Sequence, residues 1–210
     1  DLSLLSHFRQ MGVVYMTLCH NGDNDICDSA RGQAEHGGLS AFGQEVVREM
    51  NALGRMIDMS HAAESSFYDA LALSQAPIVC SHSSSRALCS HPRNLTDEQM
   101  KALAAQGGVA QVTLYHGFLR HEGEATVLDA LDHLHHMVQV MGPEHVGIGT
   151  DFDGDGGVRG LKDASELIGF TRQLLRRRYS ESDLQGIWGG NFLRVMRQVQ
   201  SSATSHLGLS

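Results

Sequence analysis

Two apolar runs decide how this chain reads: Met56-Ile57-Asp58-Met59-Ser60-His61 and Pro77-Ile78-Val79-Cys80-Ser81-His82. Each is short enough for a buried strand, and each closes on Ser-His. Between them lies AAESSFYDALALSQ (62–75), whose Phe67, Leu71 and Leu73 have helical spacing. Strand, helix, strand predicts parallel pairing, because a crossover of that length returns the chain to the same end of the sheet. Two histidines then stand at the same end of consecutive parallel strands.

The same alternation extends both ways. LSLLSHFRQM (2–11) has helical spacing and stops at Gly12, and VVYMTLCH (13–20) is an apolar, β-branched strand run ending at His20. A polar, glycine-containing loop (21–38) leads to Ser40, which caps a helix running to Gly54. Beyond His82, Thr96 opens T-D-E-Q, a helix start with acids in its first turn, so 97–106 is a helix. GGVAQVTLY (107–115) is the fourth strand run, a long amphipathic helix covers about 124–141, and HVGIGTDFD (145–153) is the fifth. Helices are expected near 163–178, 181–185 and 191–200.

Strand runs this apolar suit a sheet covered on both faces. An open doubly wound sheet and a (β/α)8 barrel both fit the order. The open sheet would be announced by G-x-G-x-x-G or a P-loop after its first strand, and neither is present. Instead a polar or ionisable residue stands at the end of run after run: His20, His61, His82, Tyr115 and Asp151. In a barrel these ends converge on the face that carries the active site, so the fold class expected is α/β of the (β/α)8 TIM-barrel type. Four repeats separate His20 from Asp151, about 33 residues each, and eight would need roughly 260, close to the usual barrel size. Residues 1–210 are therefore expected to form a single incomplete barrel domain, the last five β/α units, with three N-terminal units missing.

Composition narrows the function. The chain is 41% hydrophobic with a formal charge of −8, which suits a folded core and gives no nucleic-acid footprint. The one basic cluster, RQLLRRRY (172–179), lies in a helical pattern and reads as a solvated face. No run reaches the ~18 apolar residues of a membrane span. Four cysteines at 19, 27, 80 and 89 lack C-x-x-C pairing, so zinc-ribbon and thioredoxin readings fail. Of the thirteen histidines, the HLHH group (133–136) is expected on a solvated helix face.

Paired histidines at strand ends suit a metal, because neutral imidazole is a common zinc ligand and adjacent strands lie ~4.8 Å apart. Two are too few for a site. Asp151 opens TDFDGDGG, which resembles a calcium loop, but the glutamate expected at loop position 12 is Lys162 and the run follows a strand. Asp151 reads better as a carboxylate in the barrel mouth, able to accept a proton from an activated water. Arg93, in the loop after His82, is a candidate clamp for a substrate carboxylate.

YMTLCHN (15–21), IDMSH (57–61), PIVCSHSSSRALCSHPRNLTDEQM (77–100), VGIGTDFDG (146–154) and GGNFLRV (189–195) together resemble the renal or membrane dipeptidase family of zinc metallopeptidases. The likeness covers nearly the whole chain in the right order. It implies hydrolysis of dipeptides on a (β/α)8 barrel with two zinc ions and a bridging water. His61 and His82 match the pair that binds one metal. His20 matches the histidine that lies beside the substrate and stabilises the oxyanion, and Arg93 the arginine that contacts the substrate. Asp151 matches the acid that moves the proton of the attacking water, while Asn21 and Tyr115 would be lesser pocket residues.

The family's H-x-D pair on the first strand and its bridging glutamate on the third have no counterpart in the chain. The expectation is a C-terminal portion that needs the missing barrel half to bind metal tightly. Its partners are then a dipeptide substrate and that half, with no nucleic acid. A homodimer and the localisation are left open. Two rivals remain. A cyclic amide hydrolase or deaminase barrel shares strand-end histidines but commonly adds a carboxylated lysine at a strand end, and no lysine occupies one here. A metal-free interaction module would tolerate changes at Arg93 and Asp151.

Overall fold

The computed structural model describes residues 1–206; of the sequence-based expectations, only the last four residues of the 1–210 domain lie outside that range. Its fold is α/β, with five strands in chain order in the sheet and every described strand pairing parallel. Contacts divide the chain into two compact units, one of residues 1–80, 105–108 and 193 onward, the other of 81–104 and 109–192.

The first unit contains α1 (Ser3–Gln10), β1 (Tyr15–Thr17), α2 (Ala41–Ala52), β2 (Met56–Asp58), α3 (Glu64–Leu73), β3 (Val79–Cys80) and most of a C-terminal helix (Asn191–His206). Ser40 caps α2 by accepting a hydrogen bond from the Gly43 amide, as its position before an apolar-periodic run predicts. Val46, Val47 and Met50 on α2, Met56 and Ile57 on β2, and Phe67 on α3 are buried. All three β2 residues are buried, including Asp58. That carboxylate is matched: Thr17 Oγ1 donates to it at 2.7 Å and the Ser60 amide at 3.0 Å. α1 and the approach to β1 leave an apolar row exposed: Leu4, Phe8, Met11, Val13 and Tyr15.

The second unit contains α4 (Asp97–Ala105, all but its last residue), β4 (Val109–Thr113), α5 (His116–Leu119), α6 (Val127–Met141), β5 (Val146–Gly149), α7 (Leu167–Arg176) and α8 (Glu181–Gln185). Thr96 and Gln99 cap α4 reciprocally, each side chain bonding the other's amide, at 3.1 and 3.0 Å. α6 opens on a second such box, Thr126 with Asp129. Val112, Leu131, Leu134, Met137, Phe170 and Leu174 form its buried centre. β5 has glycine where its neighbour comes close: a Cβ on Gly149 would lie 1.8 Å from the Ser81 carbonyl oxygen.

The strands are shorter than the apolar runs that announce them. β1 keeps three residues of VVYMTLCH, and β2 and β3 stop before their histidines. Past Asp58 the Met59 amide still donates to Val79, at 2.8 Å, but the Ala62 amide then turns back onto Met59, at 3.1 Å. The histidines thus stand on loops just beyond the strands rather than within them. The HLHH expectation also needs correction. His133 is fully buried, because its helix turns that face onto two loops that need its ring nitrogens. Among the described residues no disulfide joins the four cysteines, all of which are buried, and no helix is long and apolar enough to cross a membrane.

Candidate active site

β1 and β2 pair in parallel with Thr17 opposite Asp58. His20 and His61 each stand three residues beyond that pair, past the end of the ladder, where loop contacts keep them side by side. Their rings lie 4.4 Å apart between centroids, tilted by 37°. The loop between β1 and α2 fixes both from below. Ser29 Oγ donates to the His20 carbonyl at 2.6 Å and to the His61 carbonyl at 3.2 Å, and the Ala30 amide also donates to His61, at 2.7 Å.

The loop is in turn built around two carboxylates. Asp23 accepts from the Ser29 amide at 2.7 Å and from Gln33 at 2.6 Å, and these bonds hold its pKa below the usual range. Asp28, fully buried, accepts from the amides of His36 and Gly38, both at 2.9 Å. His61 itself has φ +75°, a left-handed backbone that a non-glycine residue adopts only when its surroundings demand it. Its Nδ1 lies 3.2 Å from Asn21 Oδ1.

In the second unit, His82 places Nδ1 2.8 Å from Ser81 Oγ. Its carbonyl accepts from Arg93 Nη2 at 3.4 Å. Arg93 is buried, with its guanidinium 5.3 Å above the centre of the Phe118 ring, a cation–π arrangement. Asn94 pins the neighbouring backbone: its Nδ2 donates to the Cys89 and Phe118 carbonyls, each at 2.8 Å, and its Oδ1 accepts from the Ser84 amide at 3.3 Å. Tyr115 packs edge-on against the same Phe118, 4.6 Å between centroids.

Asp151 follows β5 by two residues and has φ +58°. Its carbonyl accepts from the Gly154 and Gly156 amides at 3.0 and 2.8 Å, a tight loop in which a Cβ at 156 would lie 2.1 Å from the Thr150 carbonyl oxygen. Asp153 is exposed in that loop.

The structure thus joins His20 to His61, and His82 to Arg93, while Asp151 makes its described bonds within its own loop. Sequence reading missed Ser29, Phe118 and Asn94. Ser29 had no signal, being one serine in a polar loop. Asn94 and Phe118 act through backbone carbonyls and a ring face, which no spacing announces. Among the described residues no group of three or more His, Cys, Asp or Glu side chains is placed to hold a metal ion.

A metal-binding imidazole uses one ring nitrogen, while the other is oriented by an outer partner. His61 and His82 fit that chemistry, each having such a partner at Nδ1. As a donor set they remain short of the three protein ligands a catalytic zinc usually takes.

Comparison with known proteins settles the lineage. The family model described as membrane dipeptidase, peptidase family M19, matches residues 1–207. An uncharacterised dipeptidase of Schizosaccharomyces pombe is 40% identical over 95% of this chain and 50% of its own length. The solved structure of the probable dipeptidase PvdM from Pseudomonas aeruginosa superposes with a TM-score of 0.94 at 32% identity, covering 97% of this chain and 66% of that one. A metallo peptidase from Rhodobacter sphaeroides, liganded with a phosphinate mimic of the dipeptide L-Ala-D-Ala, gives a TM-score of 0.88 at 27% identity, over 95% of this chain and 59% of that one. The chain spans about half the length of the curated relatives it matches. By both its sequence and its fold, the chain belongs to the membrane dipeptidase family of metallopeptidases.

Proposed function

We propose that the chain is part of a zinc-dependent dipeptidase and carries one half of its metal site together with the groups that handle substrate. The observation that carries this reading is the register-matched pair His20 and His61, ring against ring, with the His61 Nδ1 oriented by Asn21. His61 and His82 would hold zinc through Nε2, and the ligands of the second zinc, with the bridging carboxylate, would come from outside these 210 residues. The exposed row Leu4, Phe8, Met11, Val13 and Tyr15 supports that view, since further β/α units would cover it.

Bound zinc would supply a water of lowered pKa and a Lewis acid for the carbonyl. The remaining work falls to this chain. His20 donates a hydrogen bond to the oxygen that becomes the oxyanion, held in place by the Ser29 bond to its carbonyl. Arg93 fixes the substrate, the Phe118 ring and the His82 carbonyl having limited its guanidinium to one orientation. Asp151 accepts the proton of the attacking water and delivers it to the leaving amine.

Zinc analysis and dipeptide hydrolysis on the complete protein test this. His61→Ala is expected to lose zinc and to lower kcat/KM by more than about 100-fold, since even outer partners of a metal cost 10–100-fold. Full zinc and full activity in that variant would remove the ligand assignment. A panel of dipeptides against hydantoin and adenosine separates the dipeptidase from the other metal-dependent barrel hydrolases.

A further inference from the structure

The histidine cluster on α6 is absorbed by none of the roles above, and one member is placed to matter. His133 is fully buried on a helix that contributes no residue to the candidate site. Its Nδ1 accepts a hydrogen bond from the Ser85 amide at 3.0 Å, and its Nε2 donates to the Leu119 carbonyl at 3.1 Å. Those bonds require the neutral ring with its proton on Nε2, because Nδ1 can accept only when unprotonated.

The two segments it joins are those that hold Arg93. Ser85 begins the 85–95 loop, where it pairs with Leu95, two residues after Arg93. Leu119 follows Phe118, whose ring lies under the Arg93 guanidinium and whose carbonyl accepts from Asn94. A shift between those segments would move the guanidinium relative to its ring.

We propose that His133 is a positioning residue: a neutral strut that sets the distance between the 85–95 loop and the 118–119 turn, and through it the pose of Arg93 toward the substrate. The proposal rests on the reading of Arg93 as a substrate contact.

The strut has a built-in acid limit. Protonated, the ring loses its acceptor and turns an N–H on the Ser85 amide. Burial opposes that proton, and Asp129 and Asp132 on the same helix favour it, while His136 disfavours it. Asp129 is already bonded to Arg120, and Asp132 to Arg177, at 3.0 and 2.6 Å. Glu122 and His121 also line the cavity of about 430 Å³ beside the ring. Substrate affinity is therefore expected to fall at acid pH without a matching fall in kcat.

The test uses the complete, zinc-loaded protein with a dipeptide substrate. His133→Phe keeps the ring and removes both bonds. It is expected to raise KM about tenfold at neutral pH, roughly the worth of one buried hydrogen bond, with kcat within about twofold. His133→Asn keeps an acceptor near Nδ1 that cannot titrate. It is expected to recover most of the affinity and to lose the acid rise in KM. His136→Ala, which breaks the Asp97 contact but neither His133 bond, is the control and should leave KM at neutral pH unchanged.

A Phe variant with unaltered KM, or an Asn variant that keeps the acid rise, overturns the proposal. Should the Phe variant fail to fold, the Asn profile alone decides it. Should the wild-type protein hydrolyse no dipeptide, the proposed function fails, and amide exchange still judges the strut. Lower protection factors at Ser85 and Asn94 in His133→Asn below pH 7 than in wild type, or protection independent of pH in wild type, rejects it. Protection that falls with acid in wild type only supports it.

Discussion

The two units hold their histidines by different means. In the first, His20 and His61 are fixed through their own carbonyls by one hydroxyl, Ser29, in a loop folded on the carboxylates of Asp23 and Asp28. In the second, the His82–Arg93 segment is fixed by side chains that bond backbone groups: Asn94, next to Arg93, reaching Phe118, and His133 reaching Ser85 from α6. The first arrangement converges on one hydroxyl, whose bond to His61 spans 32 residues of chain. The second places three backbone bonds on one side chain, Asn94, so it should fail more steeply when that member is cut.

Asn94→Ala should break the comparison hardest. It removes three bonds to backbone groups in a buried setting, which is expected to cost about 2–4 kcal/mol, seen as a lowered midpoint in urea unfolding at unchanged m. Ser29→Ala is milder, about 1–2 kcal/mol, because the His61 carbonyl keeps its bond from Ala30. Its sharper readout is magnetic resonance: the ring signals of His20 and His61 should both move, and movement of neither would show that the hydroxyl does not couple them.

Acid is the gentlest lever, and it should reach the second unit through His133. Burial holds that imidazole below its ordinary pKa, partly offset by the bond to Leu119. The unfolded chain therefore binds more protons than the folded one once pH drops below about 6.5. The stability this group contributes is complete above that pH and declines below it. Wild type should lose stability more steeply than His133→Phe as pH falls from 7 toward 5, measured as unfolding midpoints in urea. Parallel slopes would assign the acid response elsewhere.

Much of the fold is legible in the sequence because it rests on periodicity and punctuation. The alternation of apolar runs with helical spacing places the five strands and the longer helices, though not the short α5, and Ser40 and Thr96 mark helix starts that the structure reproduces. The strand ends are less legible. His61 and His82 read as the last residues of strands, yet the ladder stops earlier, since hydrogen-bond exchange at a strand end leaves no trace in hydropathy. The site is legible only where it uses ionisable side chains. Ser29 acts through backbone carbonyls, Phe118 through its ring face, and His133 through burial that its polar neighbours His135 and His136 conceal.

The left-handed backbone at His61 and Asp151 has a consequence for anyone transplanting this site. At such positions the Cα–Cβ bond leaves the main chain in a direction that no ordinary strand end offers. Grafting the two side chains onto another parallel sheet at matching positions would aim them wrongly. The transferable unit is each residue with its whole loop, 21–39 with His61 and 150–157 with Asp151, since the loops, and not the strands, determine where those side chains point.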